Sequence, residues 1–436
     1  MKLRRPKNYD KILSLVWELV ECMQQYFQDD PLHTWQTKYR RLYSEIFDKL
    51  AAAMFTSKEL QEHISHEELR DAFDDICYAT RKKYEELTIE DARAFLDRFY
   101  RRPGRYRFFF PARNLWGYPD GYVVGECSLN SLRHLPQDVR HRISSGWKYT
   151  YSREKEIYGS RGESDYENSK MSETYFCVEV RAFGRRTAIE TATRLANQGR
   201  NILKCFHHIS HLPKLREFYF LKGRTFLHIG DLRYVSGWES HPTGLFPEQE
   251  KYVSLISRLV RNRESDEITR KCISAIDLYG MIEPDTPNEV SFLLSVIAIE
   301  CLLLGRDDRD LLGWKLREKI AMLLGDTPEW FTWFLNKANP TQEECDGARI
   351  DARECLSKRV ADMYDKRSRF AHPDVHGQSQ ITEQDLDFAS LVFELSLQKL
   401  LTLRERGITH VYRDSLGDPK SLDSFIDRMK YSAVQP

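Results

Sequence analysis

The 436-residue sequence predicts an α+β protein built in three successive parts: an N-terminal helical region, a strand-rich middle and a C-terminal all-α helical bundle. Three observations carry this expectation. Apolar residues recur every three or four positions up to about Asp97; from Arg98 onward, glycine and proline punctuate short aromatic and β-branched runs; after Pro247 the helical spacing returns and strand signals stop. The length suits about three folding units at roughly 150 residues each. We divide the chain at 1–97, 98–246 and 247–410, with 411–436 as a peripheral tail of two weak helical turns.

In the first part Ile12, Leu13, Val16, Leu19, Val20 and Met23 mark one helix face, with charges on the other. Similar spacing predicts helices over Tyr39–Met54, Leu69–Tyr84 and Ile89–Phe99. In the middle, strands are expected at Arg105–Pro111, Gly121–Cys127, Thr174–Arg181 and Arg224–Ile229, interrupted by a helix from about Thr187 to Phe206. Tyr149–Glu173 is polar and aperiodic and reads as a loop. In the last part Tyr252–Val260 and Ile268–Tyr279 are amphipathic, the second ended by Gly280. Asn288 is expected to cap the apolar helix Glu289–Leu304, with Gly305 as its terminator. Leu311–Leu324, Ala348–Ala371 and a helix running from Thr382 to Arg406 complete the bundle.

Lysine plus arginine number 66 and aspartate plus glutamate 66, so net charge is zero, which argues against broad, nonspecific coating of nucleic acid. Local charge is another matter. Arg98–Tyr118 holds six arginines, eight aromatics and no acid. The apolar stretch Ser291–Gly305, interrupted by Glu300, falls short of the roughly 20 residues a bilayer span needs. The start, with Glu18 and Glu21 breaking its apolar run, does not read as a secretory signal, and the nine cysteines form no C-x-x-C pair, so a cytoplasmic protein with reduced thiols is expected. There is no Gly-x-x-x-x-Gly-Lys loop and no Gly-x-Ser-x-Gly elbow, which disfavours ATP-driven and serine-hydrolase chemistry.

The stretch Met363-Tyr364-Asp365-Lys366-Arg367-Ser368-Arg369-Phe370-Ala371-His372-Pro373 carries the most chemistry. Pro373 disfavours helical geometry at His372, which places the histidine at a helix C-terminus, where the macrodipole favours the imidazolium. Arg367 lies five positions earlier, about 140° around an ideal helix, so only a break at Pro373 lets the two side chains converge. An arginine that neutralises charge on phosphate oxygens and a histidine that moves a proton suit metal-free phosphodiester cleavage. A ribose 2′-hydroxyl as the proton source makes the target RNA. The bland alternative for the same residues is a solvated helix end.

Around this stretch, AIECLLLG with Glu300, the helix LLGWKLREKIAMLLG, YDKRSRFAHPD and the upstream ISAIDLYGMIEPDTPNEVSFL resemble the HEPN domain, in particular the ApeA-like group of bacterial anti-phage proteins. The resemblance covers about residues 250–405. It implies a metal-independent endoribonuclease whose arginine and histidine, here Arg367 and His372 with four residues between, act in a composite site of two paired HEPN domains. A homodimer, RNA as substrate (tRNA, mRNA or rRNA), products ending in 2′,3′-cyclic phosphate and 5′-hydroxyl, a phage-derived trigger, and no cofactor or metal follow from it. Many catalytic members carry Asn, Asp or His after the arginine, where this chain has Ser368. Asp365 and Glu300 are candidates to orient the pair, Glu300 equally so as a buried acid paired with an arginine, and Lys366 and Arg369 are candidates for RNA backbone contacts. A non-catalytic HEPN module for RNA binding or assembly is the competing expectation.

Outside the bundle, Arg101, Arg102, Arg105 and Arg107, interleaved with aromatics, are candidate contacts to single-stranded RNA. The alternative is an edge strand that alternates core aromatics with solvated arginines. Cys205, His207, His208 and His211 crowd one helix end but lack a second pair of ligands, so no metal site is expected.

Overall fold

The computed structural model describes residues 6–29, 37–56, 61, 66–67, 69–70, 88–101, 104–112, 115, 118–143, 174–182, 185–207, 215, 218–222, 225–229, 247–262, 266–283, 285–305, 312–371, 380–412 and 418–432. It is a mixed α+β protein, as the sequence predicts. The chain forms two compact units: residues 1–109, 177–194 and 217–231 make the first, and residues 110–176, 195–216 and 232–436 the second.

In the first unit α1 (Tyr9–Asp29), α2 (Thr37–Met54) and α3 (Ile89–Arg101) pack together. The predicted face of α1 is inside: Ile12, Val16 and Leu19 are fully buried against Phe47, Leu50 and Leu96. The Tyr9 hydroxyl donates to Asp97 at 2.8 Å, fixing α1 to α3 with the polar tip of an otherwise apolar contact. Most of the helix expected over Leu69–Tyr84 lies outside the described residues.

Six strands, β1 (Gly104–Ala112), β2 (Tyr122–Val124), β3 (Cys127–Ser131), β4 (Thr174–Ala182), β5 (Phe218–Lys222) and β6 (Thr225–Ile229), are ordered β2-β3-β4-β1-β5-β6. β1 runs antiparallel to β5, with Arg107 opposite Leu221 and Phe109 opposite Tyr219. This corrects the expectation of an edge strand. β1 is flanked on both sides, and the run Phe108–Ala112 is buried without alternation, as a strand covered on both faces requires. The strand expected over Gly121–Cys127 is in fact a hairpin. Gly125 at φ +57° makes the reversal between β2 and β3, and its N–H donates to Ser257 Oγ at 2.8 Å.

α4 (Arg185–His207) begins in the first unit and ends in the second. In the second unit its buried face includes two cations. Arg200, 1% exposed, donates to the Gly280 carbonyl at 3.0 Å and pairs with Glu283 at 2.8 Å, while Lys204 donates to the Ile282 carbonyl. Burial, followed by the neighbouring Arg200, lowers the Lys204 pKa to about 8.

The bundle comprises α5 (Pro247–Arg261), α6 (Glu267–Tyr279), α7 (Asn288–Leu303), α8 (Leu312–Leu324), α9 (Pro328–Leu335), α10 (Gln342–Ala371), α11 (Glu383–Glu405) and α12 (Leu422–Ser432). α7 sits at its centre, packed on α6, α10 and α11, with Phe292, Val296, Ile299 and Leu303 fully buried. Its ends differ from expectation. Pro287, whose ring fixes φ near a helix-entering value, holds the N-cap position in place of Asn288, and Leu304 is already extended, so the helix stops before Gly305. Gly280 ends α6 without a left-handed turn; its role is space, because a Cβ there would meet the Asn201 side chain at 2.1 Å. α11 starts as predicted at Thr382, in a capping box with Asp385. α9, which has no counterpart among the predicted helices, is capped by Thr327 and anchored by Trp330, whose Nε1–H donates to the Ala352 carbonyl at 3.0 Å. The tail is not peripheral: Leu422 and Ile426 are buried, and Asp423 pairs with Lys319 at 2.8 Å.

Candidate functional site

α10 is 30 residues long and starts earlier than Ala348. Ala352, Leu356, Val360 and Met363 form its single buried stripe, at intervals of four, four and three residues. Ile350, an apolar residue of the same helix, is 79% exposed and lies off this stripe. Pairs spaced by three or four residues line the solvent side, Arg349 with Asp346 at 2.7 Å and Lys358 with Glu354 at 2.7 Å. The last two turns, before His372 and Pro373 in sequence, carry five of the expected site residues: Asp365, Lys366, Arg367, Ser368 and Arg369. His372 itself lies outside the described residues.

Arg367 is held by Glu300, which projects from the otherwise apolar C-terminal half of α7. Nε approaches Oε1 at 3.1 Å without hydrogen-bond alignment, and Nη2 donates to Oε2 at 3.3 Å. Both side chains are largely buried, at 24% and 16% exposure. Burial raises the Glu300 pKa above the usual glutamate value, and Arg367 opposes the rise without cancelling it. The guanidinium carbon also lies 5.8 Å from the centroid of the Tyr364 ring. Burial, followed by Glu300, pushes the Tyr364 phenol up.

The neighbours separate into different roles. Lys366 turns toward the start of α11, bonded to Asp385 at 2.7 Å and paired with Asp362 at 3.3 Å. Burial works against its charge, but these two carboxylates outweigh burial and raise its pKa. Asp385 is lowered in turn: burial works against its charge too, and the bonds from Lys366 and Thr382 prevail. Asp365 does not orient Arg367. Two positions apart on a helix, they project about 200° apart, and Asp365 lines a cleft instead. Ser368 is partly buried and Arg369 exposed, and neither has a hydrogen-bond or ion-pair partner among the described residues.

The cleft, of about 550 Å³, lies between α8 and α10 and is lined by Leu312, Gly313, Trp314 and Arg317 from α8 and by Ala361, Tyr364 and Asp365 from α10. Sequence reasoning missed Trp314, Arg317 and Tyr364 as site residues. Part of the signal was present, a large indole on a charged helix with an arginine three residues on, but the 50% exposure of Trp314 is set by the fold.

The arginines of the middle region are differently placed. Arg102 lies outside the described residues, and Arg101 closes α3 with its side chain outside them. Arg105 is exposed and paired with Glu179 of β4, and Arg107 is half-buried in β1. Cys205 is buried, His208 and His211 lie outside the described residues, and no group of three metal-binding side chains occurs among those described. No helix among the described residues is long and apolar enough to cross a membrane.

No family model matches the chain, and no curated protein or solved structure matches it significantly.

Proposed function

We propose that this chain is a metal-independent endoribonuclease of the HEPN type, acting through Arg367 and His372. The observation that supports the reading is the placement of Arg367. A guanidinium is fixed by one carboxylate near the end of a helix, and the sequence sets a histidine, His372, five residues on and directly before a proline. In the reaction, the 2′-oxygen of a ribose bonds to the adjacent phosphorus and the bond from phosphorus to the next 5′-oxygen breaks. A base takes the 2′-hydroxyl proton and an acid protonates the leaving oxygen, giving a 2′,3′-cyclic phosphate and a 5′-hydroxyl. Arg367 stabilises charge growing on the phosphate oxygens, His372 is the general acid or base, and Glu300 positions Arg367.

One imidazole does not take a proton and give one at the same instant. The homodimer implied by the HEPN resemblance supplies the second histidine, with both copies of the motif facing one site. The same resemblance implies a role in anti-phage defence, where a phage-derived trigger releases a nuclease toxic to its host, and the reduced thiols expected from the cysteine pattern suit a cytoplasmic protein.

A second reading is a non-catalytic HEPN module that binds RNA or assembles with a second copy. The Glu300 contact favours it, because the pair gives Arg367 a structural role without any chemistry. The two readings part on one experiment. Wild-type and His372→Ala proteins are incubated with total RNA, with and without EDTA. Cleavage by wild type alone, unaffected by EDTA and leaving cyclic-phosphate ends, supports the nuclease. Equal cleavage by both removes His372 from catalysis; RNA binding with no cleavage by either selects the module.

A further inference from the structure

One ring separates Arg367 from the cleft. Tyr364 lies under the Arg367 guanidinium and also forms a cleft wall. Gly313 makes this wall possible: a Cβ there would come within 2.7 Å of the Tyr364 ring, so only glycine lets α8 approach the ring this closely. The cleft volume of about 550 Å³ falls in the range of small-molecule sites. Three of its side chains have chemistry suited to binding. Trp314 is half exposed and presents an aromatic surface. Arg317, on the same side of α8, and Asp365, opposite on α10, have no hydrogen-bond or ion-pair partner among the described residues.

We propose that the cleft binds one unpaired guanine of an RNA strand, beside the phosphate that Arg367 serves. The base stacks on Trp314, Asp365 accepts from guanine N1–H and N2–H, and Arg317 meets an adjoining phosphate. The assignment rests on the ribonuclease reading and deepens it by naming the base next to the cut. A carboxylate only accepts hydrogen bonds. Guanine alone among the four bases places two donors side by side on one edge, spaced to meet both oxygens of one carboxylate. Adenine and cytosine put an acceptor nitrogen beside their amino group, and uracil puts carbonyls on either side of its single N–H, so each sets a lone pair against Asp365. An arginine and an aromatic without an acid would bind any base; Asp365 makes the site selective.

The test uses the full chain and fluorescein-labelled 2′-O-methyl decamers, which bind but lack the hydroxyl needed for cleavage. One decamer carries a single guanosine among uridines, one carries inosine there, and one is all uridine. Wild type is expected to bind the guanosine decamer about tenfold more tightly than the other two. Trp314→Ala weakens guanosine binding roughly ten- to hundredfold, with an unchanged melting midpoint, since the indole is half exposed. Asp365→Asn removes the preference for guanosine over inosine. Arg317→Ala weakens all three decamers alike and reduces the salt slope by about 0.7.

Equal binding of guanosine and inosine by wild type overturns the proposal, as does unchanged guanosine binding by Trp314→Ala. A Trp314→Ala protein that changes oligomeric state in sedimentation, with RNA binding intact, also overturns it and assigns the cleft to a second copy. Cleavage is measured in parallel on the matching 2′-hydroxyl RNA. A guanine preference that follows the variants without any cleavage keeps the site and removes the nuclease reading. Cleavage without guanine preference keeps the nuclease and removes the site.

Discussion

Two arginine-rich segments stand out in the sequence, and the fold treats them in opposite ways. In β1 the arginines alternate with core aromatics: Tyr106 and Phe108 are buried, Arg105 faces solvent, and Glu179 of the neighbouring β4 answers its charge. At the end of α10, Arg367 is drawn inward onto Glu300, Lys366 is committed to Asp362 and Asp385, and Arg369 stays exposed. In a sheet a neighbouring strand can set an opposite charge beside an exposed side chain, as Glu179 does for Arg105, whereas Arg107 stands opposite Leu221. A helix end is not part of such a ladder. It presents what its last turn carries, and here that is an arginine whose direction is set by a buried acid.

The largest effect that tests this contrast is chemical. Under the proposed function, Arg367→Ala and His372→Ala each lower the rate of RNA cleavage by about 100- to 10,000-fold. Single-turnover cleavage followed on denaturing gels measures it. Near wild-type rates for either variant would place the end of α10 in the same class as β1, a charged surface without chemistry.

How far the sequence anticipated this contrast depends on periodicity. The buried stripe of α1, the start of α11 at Thr382 and the residues of β1 follow from spacing and local chemistry, whereas the stripe of α10 does not, since Ile350 is exposed and Ala352, Leu356 and Met363 join Val360 inside. Glu300 as a buried acid paired with an arginine was also legible, because an isolated carboxylate in an apolar helix needs a cation. Features set by neighbours were not. The interior position of β1 depends on β4 and β5 flanking it, and nothing within Arg105–Pro111 states that. Arg200 lies four residues after Ala196 and eight after Ala192, on the buried stripe of α4, yet its acceptors come from the segment after α6. The Trp314 cleft exists only because α8 and α10 lie side by side.

A smaller effect concerns the seam between α10 and α11. Lys366→Ala leaves Asp385 without its lysine, and Asp385 is part of the α11 capping box. Hydrogen bonds to charged groups contribute roughly 1.5–3 kcal/mol, and partial exposure screens this, so a loss of about 1 kcal/mol is expected. Urea denaturation at neutral pH is the measurement. No loss would mean that Lys366 is as dispensable as a surface arginine and remains free for phosphate.

Glu300 provides a pH test of the inward-drawn pair. Its pKa is raised in the folded state, chiefly by burial. Between its unfolded value, about 4.3, and the folded one, the folded protein holds a proton that the unfolded chain has released. Stability contributed by this group is therefore present below that window and falls as pH rises through it. Glu300→Gln has no such proton. Its stability relative to wild type should improve as pH is raised from about 4 to about 7, since the wild type alone loses through the window. Parallel urea titrations of both proteins cancel the pH response of all other groups. A relative stability of Glu300→Gln that declines over this range would show that Arg367 outweighs burial and that the carboxylate is depressed.

The smallest effect is the most discriminating for β1. Arg105 and Glu179 are 67% and 38% exposed, an ion pair in solvent. Such pairs contribute little to stability, because water screens the charges and ordering two long side chains has an entropic cost. Arg105→Ala should leave the melting midpoint unchanged and alter affinity for single-stranded RNA by less than about twofold, with no change in its salt dependence. A guanidinium already answered by Glu179 gains little by exchanging a carboxylate for a phosphate. If Arg105→Ala instead weakens RNA binding tenfold and flattens the salt dependence by the amount of one phosphate contact, Glu179 is only a placeholder. β1 would then be an RNA surface in its own right, and the arginines of sheet and helix end would differ in partner rather than in purpose.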